Sequence, residues 1–242
     1  MILNYNDFGY PTNSPERKME NHSIGHGGLF KSIIEFNNFK TVVEIGVCRA
    51  TTTKYLCEAV KTTGGSVHGY DLWETHGLKK QFKALSTKEK CEEYLNKFNF
   101  KNYKLIKIDT TSQEFRDAIK NNHKTIDFAF IDGCHSYSGV KNDFDVIYPY
   151  LSSSGVIAFH DTQMIDGCRE FILDLRTKYN DGTYDIIDFP WGNGKKRCGV
   201  SLLVKRSYPV LKDIGLSQVC GSPSSPEEIR SRELEWYKSQ LK

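Results

Sequence analysis

The sequence lacks the features that mark membrane, disulfide-rich and zinc-binding proteins. It contains no run of about 18 apolar residues, and no apolar stretch follows Met1, so neither a transmembrane helix nor a secretory leader is expected. The seven cysteines form no CxxC pair and no set of cysteines and histidines with the spacing of a zinc site. This pattern fits reduced thiols better than a disulfide framework or a zinc site. We therefore expect a soluble cytoplasmic protein.

Neither positive nor negative charge is in large excess. The 33 Lys and Arg residues nearly balance the 30 Asp and Glu residues, which leaves a formal net charge of +3. So small a charge argues neither for nor against a polyanionic partner. A local cluster at 195–197 could meet a phosphate or carboxylate, but such clusters are more often solvated loops. With 242 residues, the chain is long enough to bury one substantial core.

Short apolar runs typical of strands alternate with segments of helical periodicity. Helices are predicted over segments that include 28–39 and 140–151, and strands are predicted at 41–46, 66–71, 103–108, 126–131, 156–159, 184–189 and 199–204. Alternation of this kind favours right-handed crossovers and a mostly parallel sheet. We predict a Rossmann-like α/β fold: a seven-stranded mixed sheet with helices on both faces and a C-terminal antiparallel hairpin at its edge.

The chain divides into three parts. Residues 1–27 form a polar, proline-containing arm, 28–206 carry the predicted domain, and 207–242 form a tail with a helix predicted after 225–228. The charged segment 74–99 is longer than a simple connection and could form a lid over a substrate site.

Acidic residues stand at the ends of successive predicted strands. Glu44 precedes the Gly46 turn after the first strand, and Asp71, Asp109 and Asp132 close the next three. In open α/β sheets, ligands bind outside the carboxyl ends of the strands, and an acid closing the second strand can accept the hydroxyls of a ribose. Glycine allows the backbone to approach a ligand closely. These residues predict a nucleotide-binding crevice, although the glycine triplet of dinucleotide-binding proteins is missing.

Two further polar clusters follow the fourth and fifth strands. The first is Asp132-Gly-Cys-His135 and the second is His160-Asp161-Thr162. Buried charges must be paired or coordinated, so this density of titratable groups is unlike ordinary packing. We therefore expect chemistry at this end of the sheet.

These patterns resemble the class I S-adenosylmethionine-dependent methyltransferases. The resemblance covers roughly residues 28–206 and consists of Glu-Ile-Gly after strand one, acids closing strands two and three, and the terminal hairpin. Ala50 stands where the first motif of the family continues to a further glycine.

The resemblance implies a role for each residue of the crevice. The Gly46 loop should hold the methionine portion of the cofactor with support from Glu44, and Asp71 should bind the ribose hydroxyls. Asp109 and Thr110 should lie near the adenine. Asp132 is expected to border both the cofactor and the acceptor.

The pattern IDG-x-H-x-Y, followed by a glycine turn and His-Asp, is similar to a branch that methylates small molecules, including sugar rings. Related metal-dependent O-methyltransferases place a carboxylate at the Asp132 position and two more ligands at the end of strand five, where this chain has His160 and Asp161. Ser154 replaces the first glycine of the usual Gly-Gly turn, and Gly155 keeps the second. The resemblance thus implies a divalent ion, Mg²⁺ or Mn²⁺, of which Mn²⁺ better tolerates a nitrogen ligand.

The expected reaction is methyl transfer to a hydroxyl of a small, sugar- or polyol-like molecule. Displacement at a sulfonium is in line, so positioning contributes much of the rate. A metal lowers the pKa of a coordinated hydroxyl, and a neutral imidazole can take its proton near pH 7. We assign this general-base role to His135, with Asp132 beside it as the second catalytic residue.

Other readings stay open. His135 could act alone in a metal-independent O- or N-methyltransferase, or cap the following helix, and His160 could orient Asp132 or pack in the core. The chain could instead be a nicotinamide-dependent oxidoreductase or a non-catalytic cofactor-binding subunit.

The remaining aromatic and histidine residues have simpler expectations. Tyr137 is expected to pack, Trp73 and Trp191 could line an acceptor pocket, and His22 and His26 are expected at the surface. The expected partner is a small-molecule acceptor, not nucleic acid or a membrane; the tail could pack on a second copy of the chain.

Overall fold

The computed structural model describes residues 24–74, 86–190, 192–193 and 196–206. The strands are β1 Thr41–Ile45, β2 Ser66–Asp71, β3 Tyr103–Lys107, β4 Ile126–Ile131, β5 Leu151–His160, β6 Tyr184–Phe189, β7 Gly192–Asn193, β8 Lys196–Arg197 and β9 Val200–Lys205. The helices are α1 Ile24–Phe36, α2 Thr51–Thr63, α3 Lys88–Asn96, α4 Gln113–Asn122, α5 Tyr137–Ile147 and α6 Asp166–Thr177, with a 3₁₀ turn at Tyr148–Tyr150.

Seven strands form one mixed sheet in the order β3-β2-β1-β4-β5-β9-β6, which confirms the predicted fold. The C-terminal antiparallel hairpin lies at the edge of the sheet, as predicted. Within it, β9 lies between β5 and β6 and pairs antiparallel with both. Its first four residues are buried, as suits an interior strand. The sequence of β6, YDIIDF, places charge on an edge strand, where charge discourages further pairing.

The parallel strands separate two apolar layers. Successive side chains of a strand point to opposite faces, so Val42 faces one layer and Val43 the other. The first layer is covered by α1, α2 and α3, and the second by α4, α5 and α6. Helices therefore cover both faces, as predicted, and the carboxyl ends of β1 to β4 meet at one edge.

Three elements begin earlier than predicted. Helix α1 begins at Ile24, four residues before the predicted start. Helix α5 begins at Tyr137, because the Ser136 hydroxyl accepts a hydrogen bond from the Gly139 N–H and caps the helix earlier than its apolar pattern suggested. Strand β5 begins at Leu151, and its pairing with β4 shifts register beyond Ile126.

Several predictions lie outside the described residues. These are most of the N-terminal arm, the tail with its predicted helix, Trp191, His22, and residues 75–85 of the predicted lid. Within the described ranges, no helix combines the length and the apolar character needed to cross a bilayer.

Candidate active site

A cavity of about 550 Å³ opens at the carboxyl ends of β1 to β4. This size lies within the range of small-molecule and cofactor sites. Six of the residues predicted to act at the site line the cavity: Gly46, Asp71, Asp109, Thr110, Asp132 and His135. The strand-end rule therefore placed these residues correctly around one space.

Gly46 lies where the turn after β1 contacts the turn after β4. Its φ is +89°, and a Cβ at this position would overlap the backbone of Asp132 and Gly133. The Gly46 N–H donates to the carbonyl of Tyr70, and the Asp132 N–H donates to the carbonyl of Ile45. Glycine is required here because the turn after β1 contacts the backbone of the turn after β4. The reason expected from the sequence was close approach of a ligand.

The turn after Gly46 keeps a glycine-like shape without further glycines. Cys48 and Ala50 have φ values of 51° and 60°, in the left-handed region. Each such residue costs about 1–2 kcal/mol relative to an ordinary conformation. The strain identifies both positions as places where glycine would fit the backbone better.

Asp71 holds this turn in place. Its Oδ2 accepts a hydrogen bond of 2.7 Å from the Cys48 N–H, and its Oδ1 accepts one of 2.5 Å from the Trp73 N–H. A carboxylate has about four lone-pair sites, so the oxygens can accept further bonds from a ligand. The carboxylate thus both fixes the loop and faces the cavity.

Glu44 precedes the cavity-lining residue Ile45 but does not itself line the cavity. The residue is fully buried, and its Oε2 accepts a 2.5 Å hydrogen bond from the Thr53 hydroxyl. Its Oε1 has no hydrogen-bond partner among the described residues. Burial raises the pKa of Glu44 well above its ordinary value, and the hydrogen bond from Thr53 only partly opposes this. Its predicted contact with the methionine portion stays a prediction.

Asp109 and Thr110 form the wall opposite the Gly46 turn. Asp109 Oδ1 accepts bonds from both the N–H and the hydroxyl of Thr111, and these bonds lower the pKa of Asp109. The carbonyl of Thr110 accepts a 2.8 Å bond from the side chain of Asn142 on α5. One oxygen of Asp109 therefore shapes the turn, and the predicted contacts with adenine stay untested.

At one end of the cavity, two carboxylates meet two imidazoles. Ligand-capable atoms of Asp132, His135 and Asp161 all lie within 4.8 Å of one another. His135 Nε2 is 3.1 Å from Asp132 Oδ1 and 3.5 Å from Asp161 Oδ2. His160 Nδ1 is 3.2 Å from Asp132 Oδ1 and 3.4 Å from Asp161 Oδ1. The structure thus brings together all four residues that the sequence singled out here.

Attraction between carboxylates and imidazoles shifts the pKa values of Asp132, His135 and His160 toward the charged forms. Burial alone would raise the pKa of Asp132, but His160 and His135 together hold it below its ordinary value. The hydrogen bond with Asp132 raises the pKa of His135. Burial would lower the pKa of His160, but the two carboxylates outweigh it and raise this pKa to about 11.

Polar atoms in the cluster are also left without hydrogen bonds. His160 Nδ1 and Asp161 Oδ1 are buried, and neither makes a hydrogen bond of good geometry among the described residues, although they lie 3.4 Å apart. Buried polar atoms are normally satisfied. Carboxylate oxygens and imidazole nitrogens that converge in this way can serve as ligands of a divalent metal ion.

The two imidazoles differ in access. The side chain of His135 is 36% exposed and lines the cavity, whereas that of His160 is 15% exposed and lies behind the carboxylates. His135 can therefore meet a ligand in the cavity directly. Tyr137 points away from the site, as expected, because its hydroxyl donates to Asp174 on α6.

Three residues near the cavity were missed or misplaced by sequence reasoning. His26 was expected at the surface but is buried against His160. Burial and the nearby Asp161 carboxylate raise the pKa of the Cys198 thiol, and no motif pointed to this residue. Trp73 lines the cavity, as one of its open readings allowed, and its indole N–H donates to the carbonyl of Cys48. The sheet order that brings Cys198 to β5 has no local sequence signal.

Comparison with known proteins gives the family. Residues 43–162, from β1 to the end of β5, match the family model described as a methyltransferase domain. This part of the chain is a class I S-adenosylmethionine-dependent methyltransferase domain. The resemblance inferred from the strand-end residues is thereby confirmed.

The methyltransferase resembles known structures at low sequence identity. An O-methyltransferase from Bacillus cereus in complex with S-adenosylhomocysteine has a TM-score of 0.58 and 14% identity, covering 83% of this chain and 94% of that one. The O-methyltransferase TomG from Streptomyces achromogenes, involved in tomaymycin synthesis and in complex with S-adenosylmethionine, has a TM-score of 0.58 and 12% identity, covering 75% and 79%. These similarities show the fold.

A curated relative is the uncharacterized protein R132 of Acanthamoeba polyphaga mimivirus. It is 29% identical over 97 residues, which cover 37% of this chain and 42% of the relative. The match therefore spans less than half of the relative.

The cavity of the methyltransferase suits a cationic cofactor. Among the described residues, its lining contains the carboxylates of Asp71, Glu74, Asp109 and Asp132 and no Lys or Arg. Acidic walls favour the sulfonium and ammonium charges of S-adenosylmethionine and disfavour the pyrophosphate of a dinucleotide. The nicotinamide reading is therefore the weaker one on electrostatic grounds.

Proposed function

We propose that this methyltransferase transfers the methyl group of S-adenosylmethionine to a hydroxyl of a small sugar- or polyol-like molecule, with the help of a divalent metal ion. The observation that carries the proposal is the convergence of Asp132, His135 and Asp161 at one end of the cofactor cavity. The nature of the acceptor rests on the similarity of the Asp132–His135 and His160–Asp161 motifs to the branch that methylates such molecules.

The cofactor is assigned to the acidic part of the cavity. Asp71 would accept the ribose hydroxyls with the lone pairs that its two backbone bonds leave over. Gly46 would border the methionine portion with support from Glu44, and Asp109 and Thr110 the adenine. When bound, S-adenosylmethionine supplies an electrophilic methyl group on a sulfonium.

The metal is assigned to Asp132, His160 and Asp161. These side chains offer carboxylate oxygens and one imidazole nitrogen, and two of their buried polar atoms lack a hydrogen bond. A bound divalent cation would lower the pKa of the acceptor hydroxyl. The nitrogen donor favours Mn²⁺ over Mg²⁺, which prefers oxygen.

His135 is assigned as the general base. It reaches into the cavity, and its Nε2 faces both Asp132 and Asp161. In its neutral form, His135 would keep its Nε2–H directed at Asp132 and would take the acceptor hydroxyl proton on its other ring nitrogen, while the oxygen–methyl bond forms and the sulfur–methyl bond breaks. The two carboxylates then stabilise the imidazolium by charge attraction.

A second assignment of the imidazoles has a specific observation in its favour. The three donors within 4.8 Å of one another include His135 rather than His160. In that case His135 would be a metal ligand, and another group would take the proton. Metal affinity separates the two assignments, because loss of a ligand weakens metal binding whereas loss of a base does not.

The test measures binding and turnover with the full chain. Calorimetry with S-adenosylhomocysteine, and with NAD as a control, checks the cofactor. Titration with Mn²⁺ of the wild type, His135→Asn and His160→Asn checks the metal, with His68→Gln as a control histidine away from the cavity. Transfer of labelled methyl to sugars, polyols and phenols is then assayed with and without a chelator.

We expect binding of S-adenosylhomocysteine but not NAD, metal binding that fails in His160→Asn alone, and loss of transfer with the chelator. Transfer that survives the chelator would support the metal-independent alternative. Loss of Mn²⁺ binding in His135→Asn would make His135 a ligand and refute its role as the base.

A further inference from the structure

Helix α1 brings another titratable side chain to the metal end of the site, although α1 lies outside residues 43–162. His26 on this helix is only 5% exposed, and its Nε2 lies 3.1 Å from the Thr52 hydroxyl of α2. Its ring stacks on Phe130, with centroids 5.7 Å apart, and meets the His160 ring edge-on, with centroids 4.8 Å apart. His26 therefore packs behind the imidazole that faces both carboxylates.

These contacts restrict both rings. The bond to Thr52 fixes the rotation of the His26 ring about its own axis, and Phe130 fixes its tilt. His160 also lies edge-on to Phe130, with centroids 6.0 Å apart, so Phe130 and His26 support it from two sides. Without the His26 ring, a gap of about one imidazole would open beside His160, and that ring could turn its Nδ1 away from Asp132 and Asp161.

We propose that His26 is a positioning residue, which makes α1 part of the metal site by holding the His160 ring with Nδ1 toward Asp132 and Asp161. This role of His26 rests on the proposed metal-assisted function. Groups that orient metal ligands typically contribute 10–100-fold to metal affinity. The expected signature is weaker metal binding with unchanged cofactor binding, because Thr52, Phe130 and His160, which His26 contacts, are not among the residues that line the cavity.

The position of α1 can be changed without touching the site. Gly27 lies against α2, and a Cβ there would be 2.5 Å from Cδ2 and 2.7 Å from Cγ of Tyr55. The next residue, Gly28, has nothing within 4 Å of an added Cβ. Gly27→Ala should therefore push α1 away from α2 and carry His26 with it, whereas Gly28→Ala adds the same methyl group to open space.

The experiment titrates Mn²⁺ into each full-length variant by calorimetry, and titrates S-adenosylhomocysteine in parallel. His26→Ala should bind Mn²⁺ at least about tenfold more weakly than the wild type. His26→Phe keeps an aromatic ring against His160 and should recover most of the affinity. Gly27→Ala should weaken Mn²⁺ binding, and Gly28→Ala should match the wild type. All four should keep the wild-type affinity for S-adenosylhomocysteine.

Two outcomes overturn the inference alone. In the first, His26→Ala binds Mn²⁺ as the wild type does. In the second, the variants lose Mn²⁺ and S-adenosylhomocysteine binding together, which is the behaviour of a merely structural helix. Failure of the wild type itself to bind Mn²⁺ would instead refute the metal in the proposed function, and the role of His26 with it. If His26→Ala does not fold, the Gly27→Ala and Gly28→Ala pair and Thr52→Val decide the question.

Discussion

Replacing Asp71 by asparagine tests the geometry of the cofactor loop most directly. The two carboxylate oxygens accept separate backbone bonds, from Cys48 at 2.7 Å and from Trp73 at 2.5 Å. An asparagine offers only one oxygen, so its NH₂ group would face one of the two N–H donors. The variant should lose one charge-assisted hydrogen bond and disturb the turn that borders the cavity.

The size of the effect follows from that single bond. A hydrogen bond to a charged group contributes about 1.5–3 kcal/mol. Because binding must return the disturbed turn to its present shape, a cost of about 2 kcal/mol is taken from the binding free energy, which corresponds to about a 30-fold weaker affinity. Any lost contact with the ribose adds to this figure. Calorimetric titration with S-adenosylhomocysteine should therefore give a dissociation constant at least about 30-fold above that of the wild type.

Asp127 provides a matched control at the opposite end of the sheet. Its Oδ2 accepts bonds from the N–H groups of Lys40 and Thr41, and its Oδ1 accepts one from the Ser152 hydroxyl. Asp127→Asn should lower the free energy of unfolding but leave affinity for S-adenosylhomocysteine unchanged. If Asp71→Asn behaved in the same way, the Asp71 carboxylate would be only a structural clamp and the reasoning would be refuted.

Three further outcomes follow from other contacts. His135→Ala should reduce turnover by about 10²–10⁴ while the affinity for S-adenosylhomocysteine stays close to wild type, and full activity would remove His135 from the reaction. Ala50→Gly should raise the free energy of unfolding in urea by up to about 1 kcal/mol by relieving the left-handed strain, whereas Ala59→Gly in the interior of α2 should lower it. Burial lowers the pKa of His123 in the folded protein to about 4, with a smaller contribution from His68. In the unfolded chain this imidazole has its ordinary pKa of about 6.5, so the unfolded chain takes up the proton first as the pH falls. Stability should therefore fall as the pH drops from about 6.5 to 4, by up to about 3 kcal/mol more in the wild type than in His123→Gln, and parallel urea curves for the two proteins would contradict this.

The strands and the cavity could be predicted because both depend on local pattern. Apolar runs such as Ile126–Ile131 are buried strands wherever they fall in a parallel sheet, and the polar residue after each run must meet its neighbours at one edge. The family resemblance supplied the same residues with roles. The grouping of Asp132, His135, His160 and Asp161 needed no more than this rule.

Other features depend on contacts between distant segments and leave little local signal. The insertion of β9 between β5 and β6 is a matter of pairing, although its buried run Val200–Leu203 is consistent with an interior strand. The burial of His26 depends on how closely α1 approaches α2, which Gly27 permits. The requirement for Gly46 was recognised, but the backbone that it contacts belongs to β4, more than 80 residues away.

The contact between Gly46 and the backbone of Asp132 has a thermodynamic consequence. The turn that borders the cofactor and the residue assigned to the cation share one backbone contact, so neither can shift without displacing the other. Ligands bound to two such mechanically joined sites change each other's affinity by the same factor. The affinity for S-adenosylhomocysteine should therefore differ with and without Mn²⁺, and equal values would show that the two turns move independently. Through Gly46, the methyl donor and the cation would fill the protein as linked ligands, with the occupancy of each depending on that of the other.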